Sequence, residues 1–101
     1  MNTNVVTANG RAVISLNGRF DFNAHREFRD AVDLALKEEG TTEVQVDLAA
    51  VDYLDSSALG MLLMLRDKAR GLGRTVSLAN CRGAVKQVIE IANFGKLFPI
   101  T

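Results

Sequence analysis

Short strand-like segments alternate with amphipathic helical segments along this chain, and that alternation limits the folds it can adopt. In residues 43–48, Val44, Val46 and Leu48 alternate with polar residues, which is typical of a strand with one buried face. Residues 75–78 form a second strand-like segment further along. Because helical segments separate them, these strands are expected to join one sheet through right-handed crossovers.

The chain begins with a predicted β-hairpin. Val5 and Val6 lead to Asn9-Gly10, and residues 11–16 then lead to Asn17-Gly18. Asn-Gly is a preferred two-residue hairpin turn because both of its residues adopt positive φ readily.

Three helices are predicted from apolar residues at helical spacing. The first is capped by Asn23 and ends near Gly40, and the third ends near residues 93–95. The second is capped by Asp55-Ser56-Ser57 and runs to about Arg70. Residues 49–54 are expected to be irregular, and residues 97–100 to form a short edge strand.

These elements occur in the order ββαβαβα. We therefore predict a single α/β domain over residues 1–101, with no second domain. Its small mixed sheet would begin as an antiparallel hairpin, continue as βαβ units and pack against about three helices.

Charge and composition exclude several classes of function. Twelve basic residues balance twelve acidic ones, which argues against nucleic acid and membrane surfaces as partners. The longest apolar run, residues 58–65, is far shorter than the ~20 residues of a membrane-spanning helix. The N-terminus lacks the basic start and apolar run of a signal peptide, so a cytoplasmic location is expected.

No catalytic centre, cofactor or metal site is predicted. The chain has no phosphate-binding glycine motif, and one cysteine with one histidine cannot form a multi-thiol or multi-imidazole metal site. Cys81 is expected to be a small buried thiol. The enzymatic alternative is a small serine hydrolase that uses His25 and one of the serines.

The second helix carries apolar residues on two sides. One side should face the sheet and contains Ala58, Leu62, Leu65, Ala69 and Leu72. The opposite side contains Ser56, Gly60, Leu63 and Asp67, flanked by Met64. This outer side either touches a neighbouring loop or binds a partner, with Gly60 permitting close approach and Ser56 acting as a regulatory hydroxyl. Spacing alone does not choose between the two.

From Val5 to the C-terminus the chain resembles a STAS domain, and specifically the bacterial anti-sigma factor antagonists. The motifs that carry this resemblance are the initial hairpin, Leu16-Asn17-Gly18-Arg19-Phe20-Asp21, the strand 44–48 leading to Tyr53-Leu54-Asp55-Ser56-Ser57-Ala58-Leu59-Gly60, and Ala84-Val85-Lys86. Two residues depart from the family pattern: Ala58 stands where glycine is commoner, and Arg19 where an acidic residue is often found.

The resemblance implies a non-enzymatic regulator that is switched by phosphorylation of Ser56. The unmodified form would bind an anti-sigma factor, which is often itself the serine kinase, and a metal-dependent serine phosphatase would restore that form. Asp21, Asp55 and Ser57 are expected beside the phosphorylated serine. The expected partner-binding residues are Arg19, Phe20, Asp21, Asn23, Ser56, Gly60, Leu63, Met64 and Asp67.

The alternative within the same family is a constitutive STAS scaffold or adaptor subunit. In that case Ser56 would only cap the second helix, and no phosphorylation switch would operate.

Overall fold

The computed structural model describes all 101 residues and contains the predicted order of elements. The strands are β1 (Asn2–Ala8), β2 (Arg11–Phe20), β3 (Glu43–Leu54) and β4 (Thr75–Ala79), and the helices are α1 (His25–Lys37), α2 (Ser56–Gly71) and α3 (Gly83–Ile91). Two short 3-10 turns, Phe22–Ala24 and Phe94–Lys96, precede α1 and follow α3. The predicted single α/β fold is confirmed.

The four strands form one mixed sheet in the order β1-β2-β3-β4. The hairpin pair β1 and β2 is antiparallel, whereas β2, β3 and β4 are parallel to one another. Asn9 and Gly10 both have positive φ, at 54° and 80°, as the hairpin turn requires. Because β2, β3 and β4 are parallel, their carboxyl ends lie at one edge of the sheet.

One face of the sheet carries the core. Its buried strand residues alternate along the chain, and they join the apolar faces of the three helices in a single cluster. On the opposite face, Ser15, Gln45 and Asp47 are partly exposed. None of the helices combines the length and the apolar character that crossing a membrane requires.

Two strands are longer than the sequence pattern indicates. Residues 17–20 continue β2, and residues 49–54, predicted to be irregular, continue β3 and pair with them. Ser15 pairs with Asp47 but Asn17 with Ala50, so β3 holds an extra residue there, and a second shift follows Gly18. These bulges interrupt the two-residue alternation of β3, so a strand predicted from alternation ends too early there. β2 keeps its alternation to Phe20, but Asn17-Gly18 interrupts its apolar pattern.

Two further predictions need correction. Residues 97–100 do not form a strand; only an isolated bridge joins Ile100 to Leu78, supported by a hydrogen bond from the Leu78 N–H to the Pro99 carbonyl of 2.9 Å. Leu72 is not a core residue: it lies just after α2 ends at Gly71, and its side chain is 57% exposed. The other four residues of the predicted stripe on α2 are buried.

Candidate functional site

The candidate site lies where β2 and β3 end side by side. Phe20 pairs with Leu54 in the last register position, and the Asp55 N–H donates to the Phe20 carbonyl at 3.4 Å. The turn that follows β2 therefore lies against the start of α2. Residues 21–24 and 55–57, which are far apart in the sequence, meet at this edge of the sheet.

Asp55 alone provides the side-chain cap of α2. Its backbone is extended, and its Oδ1 accepts from the Ala58 N–H at 3.0 Å. Ser56 is the first residue of the helix and is exposed, and neither its hydroxyl nor that of Ser57 makes a hydrogen bond within the chain. Ser56 is thus a free hydroxyl at a helix N-terminus rather than a cap.

Asp21 plays the same capping role in the neighbouring turn. Its Oδ1 accepts from the Asn23 N–H at 3.0 Å, and its Oδ2 lies 3.5 Å from Nε of Arg19. Only 19% of the Asp21 side chain is exposed. The predicted cap, Asn23, is exposed and makes no capping bond; the turn before α1 is capped two residues earlier by Asp21.

An arginine and an aromatic ring stack on the exposed side of this edge. Arg19 and Tyr53 are partners in the β2–β3 register, and the guanidinium carbon of Arg19 lies 4.0 Å from the centre of the Tyr53 ring. Tyr53 is 40% exposed, and Phe22 in the adjacent turn is 72% exposed. Together these two side chains place exposed apolar area at this edge of the sheet.

Phe20 was expected to bind a partner, and its burial contradicts that expectation. Its side chain is fully buried, and its ring centre lies 5.0 Å from that of Phe28 on α1. Phe22, two residues later, is the exposed aromatic residue. Phe22 and Tyr53 were not predicted from the sequence as site residues. In a continuing strand Phe22 would face the same side as Phe20, but β2 ends at Phe20 and the 3-10 turn that follows leaves Phe22 exposed.

The outer side of α2 is less apolar than predicted. Gly60 and Asp67 are exposed, and a side chain added at Gly60 would meet no atom of this chain within 4 Å. Leu63 and Met64, however, are half-buried and pack against the core. The more exposed apolar side chains at this edge of the sheet are Phe22 and Tyr53, and Gly60 leaves room for a partner's backbone.

The two remaining reactive side chains, His25 and Cys81, make no hydrogen bond to Ser56 or Ser57. His25 is exposed at the start of α1 and makes no hydrogen bond to a serine, so the dyad that a serine hydrolase needs is not formed. Cys81 is half-buried, and burial raises the pKa of its thiol, an effect that a backbone hydrogen bond and Lys86 partly oppose.

Solved structures share this fold. An anti-sigma factor antagonist from Mycobacterium paratuberculosis superposes with a TM-score of 0.85 at 22% identity, covering 98% of this chain and 83% of that one. The anti-sigma factor antagonist SpoIIAA in its unphosphorylated form superposes with a TM-score of 0.74 at 19% identity, covering 99% and 87%. SpoIIAA in its phosphorylated form superposes with a TM-score of 0.73 at 18% identity, covering 99% of this chain and 91% of that one.

Sequence comparison gives the family. The family described as "Mlab, STAS domain" matches residues 4–99. A STAS-domain containing protein of Pseudomonas aeruginosa is 46% identical over 101 residues, which cover 98% of this chain and 97% of that protein. The chain therefore belongs to the STAS domain family, and its fold is that of the anti-sigma factor antagonists.

Proposed function

We propose that this STAS protein is an anti-sigma factor antagonist whose binding to its partner is switched off by phosphorylation of Ser56. The observation that carries the proposal is the state of that side chain. Its hydroxyl is exposed and unbonded at the first position of a 16-residue helix, directly after the capping carboxylate of Asp55.

A phosphate on Ser56 would be compatible with the fold. The free N–H groups and the dipole at the start of α2 favour an anion. Because Asp55 and not Ser56 caps the Ala58 N–H, modification of the serine removes no capping bond. Phosphorylation would therefore act on binding rather than on folding.

The effect on binding follows from the surroundings of Ser56. A phosphate of about −1.5 to −2 charges would stand near Phe22 and Tyr53 and close to the carboxylates of Asp21 and Asp55. A partner that covers the aromatic residues would have to desolvate that charge, at a cost of about 3–5 kcal/mol. That is about 100-fold or more in affinity.

The proposed binding surface contains the residues predicted from the sequence, without the buried Phe20 and with the exposed Phe22 and Tyr53. It consists of Arg19, Asp21, Phe22, Asn23, Tyr53, Ser56, Gly60 and Asp67, with Leu63 and Met64 at its half-buried margin. Arg19 stands where an acidic residue is often found in the family, but its charge is paired with Asp21 at 3.5 Å while its guanidinium stacks on Tyr53. We therefore expect the partner to cover the aromatic side chains rather than to pair with a free charge.

The switch needs two partner activities. A serine kinase, which can be the anti-sigma factor itself, transfers the γ-phosphoryl group of ATP to Oγ of Ser56, releasing ADP and the hydroxyl proton. A metal-dependent serine phosphatase hydrolyses the ester with water and returns serine and inorganic phosphate. Neither activity resides in this protein.

The decisive experiment compares three variants in binding to anti-sigma factors from the same organism. Ser56→Ala should bind as tightly as the unmodified protein, whereas Ser56→Asp should bind at least about tenfold more weakly, since one charge replaces two. Ser57→Ala is the matched control, because its neighbouring hydroxyl is also unbonded. Equal binding by Ser56→Ala and Ser56→Asp would refute the switch.

The same samples test the scaffold alternative. Mass spectrometry after incubation with the kinase and ATP should find the phosphate on Ser56 and none on Ser56→Ala. If a partner binds but Ser56 stays unmodified, the protein is a constitutive adaptor. That adaptor would not need Ser56 as a cap, because Asp55 already caps α2.

A further inference from the structure

Although the net charge is zero, basic and acidic residues are unevenly distributed along the chain. Residues 1–65 contain five basic and ten acidic residues, whereas residues 66–101 contain seven basic and two acidic ones. The basic excess includes Arg66, Arg70 and Arg74, near the end of α2 and the start of β4. The proposed switch makes no use of these arginines.

The three arginines line one cleft. It has a volume of about 350 Å³ and lies between the second half of α2, the start of β4 and residues 97–99. Thr75, Val76, Leu97 and Pro99 complete the lining, so the cleft combines three cationic side chains with several apolar ones. This volume is near the lower end of small-molecule sites, which are about 300–1,000 Å³.

Backbone carbonyls, not carboxylates, hold two of these arginines. Nε of Arg66 donates to the Leu97 carbonyl at 3.0 Å, and Nη1 of Arg74 donates to the Leu36 carbonyl at 2.7 Å. All four ion pairs of the chain involve other basic residues. The guanidinium groups of Arg66 and Arg70 therefore carry charge that nothing in the chain neutralises.

Helix electrostatics account for only part of this arrangement. Basic residues in the last turn of a helix interact favourably with its dipole, which explains Lys68 and Arg70. Arg66 lies one turn earlier, yet its side chain is fixed at the cleft by the Leu97 carbonyl. A fixed, unpaired guanidinium beside a second free one is the arrangement that binds oxyanions through paired N–H donors.

We propose that this cleft binds a phosphate ester. The phosphate would accept from the free N–H groups of Arg66 and Arg70, and the apolar part of the ester would rest on Leu97 and Pro99. Arg66 follows Ser56 by ten residues of helix, about 15 Å along the axis at 1.5 Å per residue. The cleft is therefore separate from the proposed switch, and each can fail without the other.

The test is an NMR titration of the isotope-labelled protein with phenyl phosphate, with sodium chloride added to a reference sample at equal ionic strength. Saturable shifts should appear at residues 66–76 and 97–99. The double variant Arg66→Gln with Arg70→Gln should bind about tenfold more weakly or worse, since it loses charge-assisted hydrogen bonds. The control, Arg26→Gln with Arg29→Gln, removes two exposed arginines of α1 and should bind normally.

A second arm identifies the source of the ester. If vesicles of phosphatidylcholine with phosphatidic acid bind the protein but not the double variant, the phosphate belongs to a lipid headgroup. If vesicles do not bind but phenyl phosphate does, the ligand is a soluble ester. Shifts that do not saturate, shifts that chloride reproduces, or equal binding by the double variant would overturn the proposal.

Discussion

The two ends of α2 use charge in opposite ways. At its start, the carboxylates of Asp55 and Asp21 accept backbone N–H groups, and the group left free is the neutral hydroxyl of Ser56. Towards its end, Arg66 donates to a backbone carbonyl and Arg70 makes no ion pair, so the group left free is a positive charge.

This difference determines whether the charge at each end of α2 is permanent or depends on an enzyme. The first end has its charges satisfied, so a partner there meets an aromatic surface until an enzyme adds charge. The second end presents charge permanently and needs no enzyme to attract an anion. A protein of zero net charge can thus present two electrostatically different surfaces, the nearer residues of which are about 15 Å apart along α2.

The largest expected change in the free energy of unfolding distinguishes the core ring from the exposed ring near the start of α2. Phe20→Ala should lower the free energy of unfolding by about 3–5 kcal/mol, because a fully buried ring packed on Phe28 is lost. Phe22→Ala should change it by less than about 0.5 kcal/mol, because that ring is exposed. Urea denaturation of both variants measures the difference.

For partner affinity, in contrast to stability, the exposed ring of Phe22 should be the important one. A folded Phe22→Ala protein should lose affinity for the partner by more than about 1 kcal/mol, as aromatic anchors do. A large loss of stability in Phe22→Ala, or unchanged stability in Phe20→Ala, would show that the two rings have been assigned to the wrong sides.

The second test concerns the end of the helix. Leu65→Ala should cost about 2–5 kcal/mol of stability, because Leu65 is fully buried. Leu72→Ala should cost less than about 0.5 kcal/mol, although helical spacing alone puts Leu72 on the same stripe. Similar midpoints in urea for the two variants would contradict the exposed position of Leu72.

Much of the fold is predictable because each element satisfies a local rule. The Asn9-Gly10 turn, the spacing of apolar residues on α1 and the Asp55 cap are all decided within a few residues of sequence. The order of strands then follows from short connections and right-handed crossovers.

The errors arise where distant residues decide the local structure. The second half of β3 pairs with β2 through two bulges, and these interrupt the alternation of β3. β2 keeps its alternation, which places Phe20 on the buried face, and the shifted register brings Tyr53 opposite Arg19 on the surface. The position of Ser56 was predicted from its motif, but its aromatic surroundings depended on this pairing.

A smaller effect separates the capping residue from the free hydroxyl. Asp55→Ala should lower the free energy of unfolding by about 1 kcal/mol, because the Ala58 N–H loses its acceptor. Ser56→Ala should stay within about 0.5 kcal/mol of the unmodified protein, because no hydrogen bond is lost. If Ser56→Ala were the more costly change, the serine would be a cap after all.

The smallest effect compares two nucleophiles at the same edge of the sheet. Cys81 follows β4 as Ser56 follows β3, but Cys81 is half-buried and burial raises the pKa of its thiol. The raised pKa favours the protonated thiol in the folded state. The resulting stabilisation is therefore full below the ordinary pKa and is lost as the pH rises through the folded value.

Alkylation of this single cysteine measures how far folding lowers the reactivity of its thiol. At about pH 8, iodoacetamide should modify the folded protein more slowly than the urea-unfolded protein, since the thiolate is the reactive form. Lys86→Gln should slow the folded reaction further, because Lys86 favours the thiolate. Equal rates in the folded and unfolded protein would contradict the partial burial of Cys81, because folding would then neither shield the thiol nor raise its pKa.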